Sequence, residues 1–329
     1  MNDEVIQLNY QQPKLGRIFS AHLFDLFIMF VFSALFLVGG LFALQSMPFY
    51  QDNQKTQQSI QIETKLYVKS NDSVLLVSDY LSQNNDMTYN EKVTYFSSNL
   101  EYFFDEYLVT NTKVTDGKDI YKKILLEIKD DNSDSLFDND GKRLYTDLDK
   151  DETYFNAYKT VLTKYSLGYL NYIEGYSNCR KINIWSNITT ILICVTLGIF
   201  VTYFMFPLIF KRGRKTLGFL LNQIGYVSYD GFNPSILRLS LSFLFKWILV
   251  FLASIMTLGL PLFISVGMFF LSKKHQTLTE YIFALYVVET SSSIIYLDYY
   301  EYDVNQKKIN SNKDCQDIVK NKESEDLHS

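Results

Sequence analysis

INIWSNITTILICVTLGIFVTYFMFPLIFKRGRK, residues 182–215, decides how this chain is built. Its first part, 182–210, is apolar and carries no charged side chain. A hydrocarbon core about 30 Å thick takes roughly 20 helical residues, each rising about 1.5 Å. The stretch is therefore long enough to span a bilayer. It stops at Lys211, Arg212, Arg214 and Lys215. Positive charge packed against one end of a span marks that end as cytoplasmic.

Working outward, an earlier apolar run covers Ile18–Leu44, IFSAHLFDLFIMFVFSALFLVGGLFAL. It is too long for the apolar region of a secretory signal and reads as an uncleaved anchor. Lys14 and Arg17 put its start on the cytoplasmic side. Two spans whose outer ends are both cytoplasmic place the intervening residues 48–181 outside. A third run, Leu239–Leu271, is interrupted by Gly259, Leu260 and Pro261 and followed by Lys273 and Lys274. Proline breaks a helix by removing a donor and clashing with the preceding turn. The run reads as a hairpin or broken helix returning to the cytoplasm, with a single tilted span as the competing arrangement. The expectation is an all-α membrane protein of three to four transmembrane helices with a small, mostly helical extracytoplasmic domain. Its layout is a cytoplasmic N-terminus (1–15), a first span (16–47), the external domain (48–181) and a second span (182–210). A cytoplasmic loop (211–237), the broken helix or hairpin (238–272) and a cytoplasmic tail (273–329) complete it.

Within 48–181, LEYFFDEYLV, DIYKKILLEI and TYFNAYKTVLTKYSLGYLNYIEGY have helical spacing of apolar residues, and the last reads as continuous with the second span. KLYVKSNDSVLLVSDYL suits a strand or a helix. The acidic stretch 130–152 lacks the alternating ligands of a calcium loop and reads as a solvated loop. Leu278–Val288 suits a strand or a surface helix. Beyond Asp303 the polar composition predicts disorder.

The 31 Lys and Arg against 36 Asp and Glu leave a net charge of −5, with no basic stripe for nucleic acid. Three scattered cysteines (Cys179, Cys194, Cys315) and three scattered histidines imply neither a disulfide framework nor a zinc site. No nucleophile elbow, phosphate loop or catalytic carboxylate pair is present, so an enzyme is not expected and no cofactor is implied.

The residues that draw attention lie in the spans. Asp25 sits inside the first, where a carboxylate costs about 2.5–3.5 kcal/mol and needs water, a partner or a proton. It is either a cation or proton site in a helix bundle or a carboxylate bonded structurally to a neighbouring helix. Arg17, Ala21 and Asp25 share one stripe, and Ala21 is small enough to admit another helix. Arg17 lies about 12 Å from Asp25 along the axis, too far to pair with it. Lys246, deep in the third run, is the candidate partner for Asp25. Arg238 reads as interfacial, reaching for phosphate. Thr189, Thr190 and Thr196 are expected to bond back to helix carbonyls. His22 stands beside the stripe as a lone titratable group.

GRIFSAHLFD (Gly16–Asp25) resembles the opening segment of the RDD family of bacterial integral membrane proteins. RKTLGFLLNQIGYVSYDGFNPSILRLSL resembles that family's Thr-x-Gly stretch, Asp-Gly turn and helix-opening Arg, here Thr216, Gly218, Asp230-Gly231 and Arg238. HQTLTEYIFALYVVE resembles the closing segment, with Glu280 where an aspartate is usual. The likeness covers residues 14–45 and 182–290. Phe219 stands where a basic residue is common, and the insertion after the first span is not part of the family core. The resemblance implies a membrane fold and, less specifically, transport.

Two functions follow as expectations. In one, the chain is a small transporter or cation or proton translocator, a homo-oligomer or partnered in the bilayer. Asp25 then binds the ion, and Arg17 pairs with Glu280 as a cytoplasmic gate. In the other, it is a non-transporting anchor displaying its external domain to an unknown ligand or partner.

Overall fold

The computed structural model describes residues 10–70, 73–130, 133–145, 150–292 and 294–309. The chain is mostly helical, with three helices long and apolar enough to cross a membrane: Leu15–Ser46, Glu174–Ile209 and Ile236–Met256. That fits a membrane protein with several apolar helices. These helices start at Leu15, Glu174 and Ile236, ahead of the apolar runs that begin at Ile18, Ile182 and Leu239.

Two compact units are present. One combines residues 1–40 with 191–329, and the other is the inserted segment 41–190. In the first, the third apolar run breaks where expected. Its helix ends at Met256, Leu258 and Gly259 adopt left-handed backbone angles (φ 53° and 91°), and Leu260–Leu271 follows as a 12-residue helix. At about 18 Å this second arm is too short to span a bilayer upright. It lies against the first arm, with the Leu262 amide donating to Ser254 Oγ at 3.2 Å.

The first two long apolar helices meet through small residues. A Cβ on Gly198 would lie 2.1 Å from Ser33 Oγ and 3.0 Å from the Met29 carbonyl. The Cys194 thiol donates to the Phe36 carbonyl at 3.3 Å. Without a hydrophobic drive between helices in lipid, such close approach supplies the packing. Thr190 bonds back to the Ser186 carbonyl as expected, whereas Thr196 accepts from Trp247 Nε1.

The same unit holds a two-stranded antiparallel sheet, which the all-α expectation lacked. Ile224–Val227 pairs with Tyr286–Glu289, Ile224 opposite Glu289. Leu278–Val288, open between strand and helix, supplies both: a short helix Leu278–Ile282 and then the strand. The sheet packs Ile224, Tyr226 and Val287 against Ile18 and Ala21 of the first long helix. Residues 299–309 are helical, which corrects the expected disorder as far as Ile309. Asp298 caps this turn by accepting from the Glu301 amide at 2.8 Å, and Asp303 pairs with Lys307 one turn on. The rest of the tail, with Cys315 and His328, lies outside the described residues.

The inserted unit is built on an aromatic core that includes Phe96, Phe103, Phe104, Phe137 and Tyr154. KLYVKSNDSVLLVSDYL forms a hairpin, Tyr67–Ser70 with Ser73–Leu76, and then the helix Val77–Gln83. The helix Tyr89–Tyr102 opens with a capping box, Thr88 with Glu91, and passes into a π-helical turn, Phe103–Leu108. A second π turn, Val161–Ser166, follows the helix Asp151–Thr160. The expected continuity of this segment with the second span fails at Ile173, whose extended backbone (φ −77°, ψ 113°) breaks the helix before Glu174. Ile173 is buried in the unit's core, so packing overrides the helical pattern. Cys179 and Cys194 are both buried and free. Among the described residues no group of His, Cys, Asp or Glu is arranged to hold a metal ion.

Candidate functional site

Asp25 is completely buried in the first unit. Its partners come from a short helix, Leu217–Leu221, with Thr216 at its N-cap. The Thr216 hydroxyl donates to Asp25 Oδ2 at 2.5 Å and the Gly218 amide donates to Oδ1 at 2.7 Å. Thr216 Oγ1 in turn accepts from the Phe219 amide at 3.3 Å. Each carboxylate oxygen thus receives a donor at the positive end of a helix, which suits a negative charge. Gly218 is dictated by the same contact. A Cβ there would fall 2.1 Å from the Ala21 carbonyl and 2.8 Å from Asp25 Oδ1. Ala21, itself fully buried, completes the close approach that its size predicts.

Glu280 is the second buried carboxylate. It is the third residue of its helix and closes a capping box with Thr277, whose amide donates to Oε2 at 2.7 Å. Oε1 accepts from the Tyr226 hydroxyl at 2.6 Å and lies 3.6 Å from His22 Nε2. Burial opposes charge on Glu280, but His22, Lys246 and these hydrogen bonds together hold its carboxyl below the usual glutamate range. Burial beside Glu280 pushes the Tyr226 phenol well up, so it remains a donor. His22 stands edge-on to Phe219 and Phe269, and its Nε2 has no hydrogen-bond partner.

Lys246 lies between the two acids rather than on one of them. No ion pair within 4 Å joins it to Asp25 among the described residues, although it interacts electrostatically with both Glu280 and Asp25. Its ammonium sits 4.6 Å from the Tyr203 ring centroid, a cation–π distance. Tyr203, Thr216, Tyr226, Ser242, Lys246 and Glu280 enclose a cavity of about 30 Å³. That is room for one or two waters with several polar partners.

Arg17 corrects the sequence expectation. It pairs with Glu289 at 2.8 Å, not with Glu280. The strand register and a bond from the Glu289 amide to the Gln11 carbonyl (3.0 Å) bring Glu289 to the start of the first helix. The capping box meanwhile turns Glu280 inward. Arg238 opens its helix after the Ser235 cap, with its guanidinium 5.2 Å from the Tyr229 ring centroid and Nη1 lacking a hydrogen-bond partner.

The structure therefore gathers Asp25, Ala21, Gly218, Glu280 and Lys246 and leaves Arg17 and Arg238 outside the cluster. Tyr226, Tyr203 and Thr277 were not singled out from the sequence. Only Thr277 carried a signal, since T-L-T-E is the pattern of a capping box. No family, curated protein or solved structure matches the chain in comparisons with known proteins.

Proposed function

We propose that the chain is a multi-pass cell-membrane protein, akin to the RDD family, that moves a proton or small monovalent cation through its membrane unit. The observation behind this reading is a pair of buried carboxyl groups near Lys246, one of them lining the small cavity. Asp25 and Glu280 are two buried acids set against one lysine, Lys246, so one carboxylate is left without a matching cation. An uncompensated charge away from water is costly, and one bound proton or cation removes it. Lys246 competes with that ion for the carboxylates, which keeps binding weak enough for release. The bilayer is the obligatory partner, and self-association would complete a pathway that so few spans rarely enclose alone. No catalytic role is assigned.

The test is Na⁺, K⁺ and H⁺ flux in proteoliposomes. Flux that falls to the empty-liposome level in Glu280→Gln and rises or changes its ion preference in Lys246→Met is the expected result. Wild-type flux no greater than that of empty liposomes, under all three gradients, overturns it. A second reading has its own support: the inserted unit has a separate aromatic core and an open polar groove. In that reading, residues 48–181 lie outside the cell as a displayed binding domain, and Asp25 serves only to fasten helices. Deleting the inserted unit then abolishes function, whereas a translocator tolerates the deletion in part.

A further inference from the structure

The inserted unit has a groove of about 640 Å³ that the helix-packing core does not use. Volumes of several hundred Å³ are typical of small-molecule sites. Its lining carries the acids Glu101, Asp105 and Asp140 together with the bases Lys118, Lys122, Lys142 and Arg143. Both signs of charge therefore face one space.

Among the described residues Glu101 and Lys142 make no ion pair, and the pairs beside them are long. Lys118 Nζ lies 3.7 Å from Asp105 Oδ2, Lys122 Nζ 3.8 Å from Asp140 Oδ1, and Arg143 Nη1 3.6 Å from Asp151 Oδ1. Hydrogen-bonded pairs of this kind close to about 2.7–2.9 Å. Asp105 Oδ1 is buried and has no hydrogen-bond partner, and the same is true of the Tyr121 hydroxyl on the groove's lining. Tyr121 is only 7% exposed, and Ser97 beside it leaves its hydroxyl without a hydrogen bond of acceptable geometry. A buried acceptor and donor left open are costly.

The backbone beneath is unusual at the same point. Asp105 lies on the π turn Phe103–Leu108. Gly117 approaches that turn so closely that a Cβ would sit 2.0 Å from the Phe104 carbonyl. Single π turns are uncommon and recur at functional sites, because the extra residue re-aims a side chain. Here the turn carries the Asp105 carboxylate to the groove.

We propose that this groove binds a small zwitterion of the amino-acid or short-peptide class, its ammonium on Glu101 and Asp105, where it competes with Lys118, and its carboxylate on Lys142 and Arg143. A ligand charged at one end only would leave either Glu101 or Lys142 without a counter-charge, and electrostatic complementarity disfavours it. A divalent metal is disfavoured by the interspersed lysines, and no metal-binding group is present among the described residues. The inference is independent of ion movement through the membrane unit, so either can fail alone.

The test uses the full chain in nanodiscs and isothermal titration with triglycine, trialanine and an equimolar mixture of the free amino acids. Saturable binding of at least one is expected, with at least tenfold weaker binding after N-acetylation or C-amidation of the peptides, or on substitution of protein side chains. Asp105→Asn is the variant for the ammonium end and Lys142→Gln, on the surface, for the carboxylate end. A melting profile shared with the wild type separates lost binding from lost folding, and Lys142→Gln stands alone if Asp105→Asn fails to fold. Equal binding of blocked and free peptides overturns the proposal, and so does the absence of saturable heat with all three probes.

Discussion

The two units hold their carboxylates in different ways. In the membrane unit, the hydrogen bonds to Asp25 and Glu280 run from 2.5 to 2.7 Å and use both oxygens of each carboxylate. In the inserted unit, the ion pairs around the groove stay at 3.6–3.8 Å, and their lysines remain partly or largely exposed. Where lipid replaces water, a carboxylate must find protein donors. Where water is present, it supplies those donors, and charges are left free for a ligand. A loose ion pair is thus ordinary at the groove and would be ruinous beside Asp25.

The sharpest way to break this contrast is Gly218→Val. The added side chain strikes the Ala21 carbonyl and Asp25 together. The expected outcome is loss of folded, monodisperse protein in detergent, while Lys122→Gln purifies normally. A finer probe compares two instances of one motif. Thr88→Ala and Thr277→Ala each destroy a capping box. The first, exposed, should destabilise by about 1 kcal/mol. The second also loosens buried Glu280, and an unsatisfied buried group adds roughly 1–3 kcal/mol. Amide exchange of the two helices checks the order, and equal loss of protection in both would remove the distinction.

Acidification gives a smaller effect. The Thr88 amide and hydroxyl hold Glu91 below the usual glutamate range. Because the folded value is depressed, the stability it contributes is present above the ordinary glutamate pKa and is lost as pH falls through the folded value. Protection at the start of Tyr89–Tyr102 should decline in that acidic window, and Glu91→Gln should flatten the dependence. Smallest of all is Lys122→Gln. Its pair with Asp140 is long and solvated, so stability should change by no more than about 0.5 kcal/mol in thermal unfolding.

The apolar helices were legible because hydrophobic length is local information, visible in the uninterrupted run after Ile182. The burial of Asp25 was legible for the same reason. Thr216 and Gly218 stood out only through the Thr-x-Gly resemblance, with Gly218 expected as a helix contact; their pairing with Asp25, 191 and 193 residues away, was not legible. Arg17 was assigned to the wrong acid because the choice between Glu280 and Glu289 is made by a strand register and a helix cap, not by charge. Lys246 was assigned to Asp25 although it stands between two acids, a geometry set by three separate helices. The break at Ile173 escaped helical spacing because a buried position, not a proline or glycine, ends the helix there.

The bond between Asp25 and Thr216 also sets a clock on the birth of the molecule. Ribosomes add about 5–20 residues per second, so the 191 residues between the two partners take roughly 10–40 s to make. Through that interval the first helix must enter lipid before its partners exist. Its carboxyl then has to travel protonated, or shielded by the insertion machinery, until the helix cap arrives. A nascent chain stalled shortly before Thr216 should therefore hold its first helix less firmly than one stalled after Phe219.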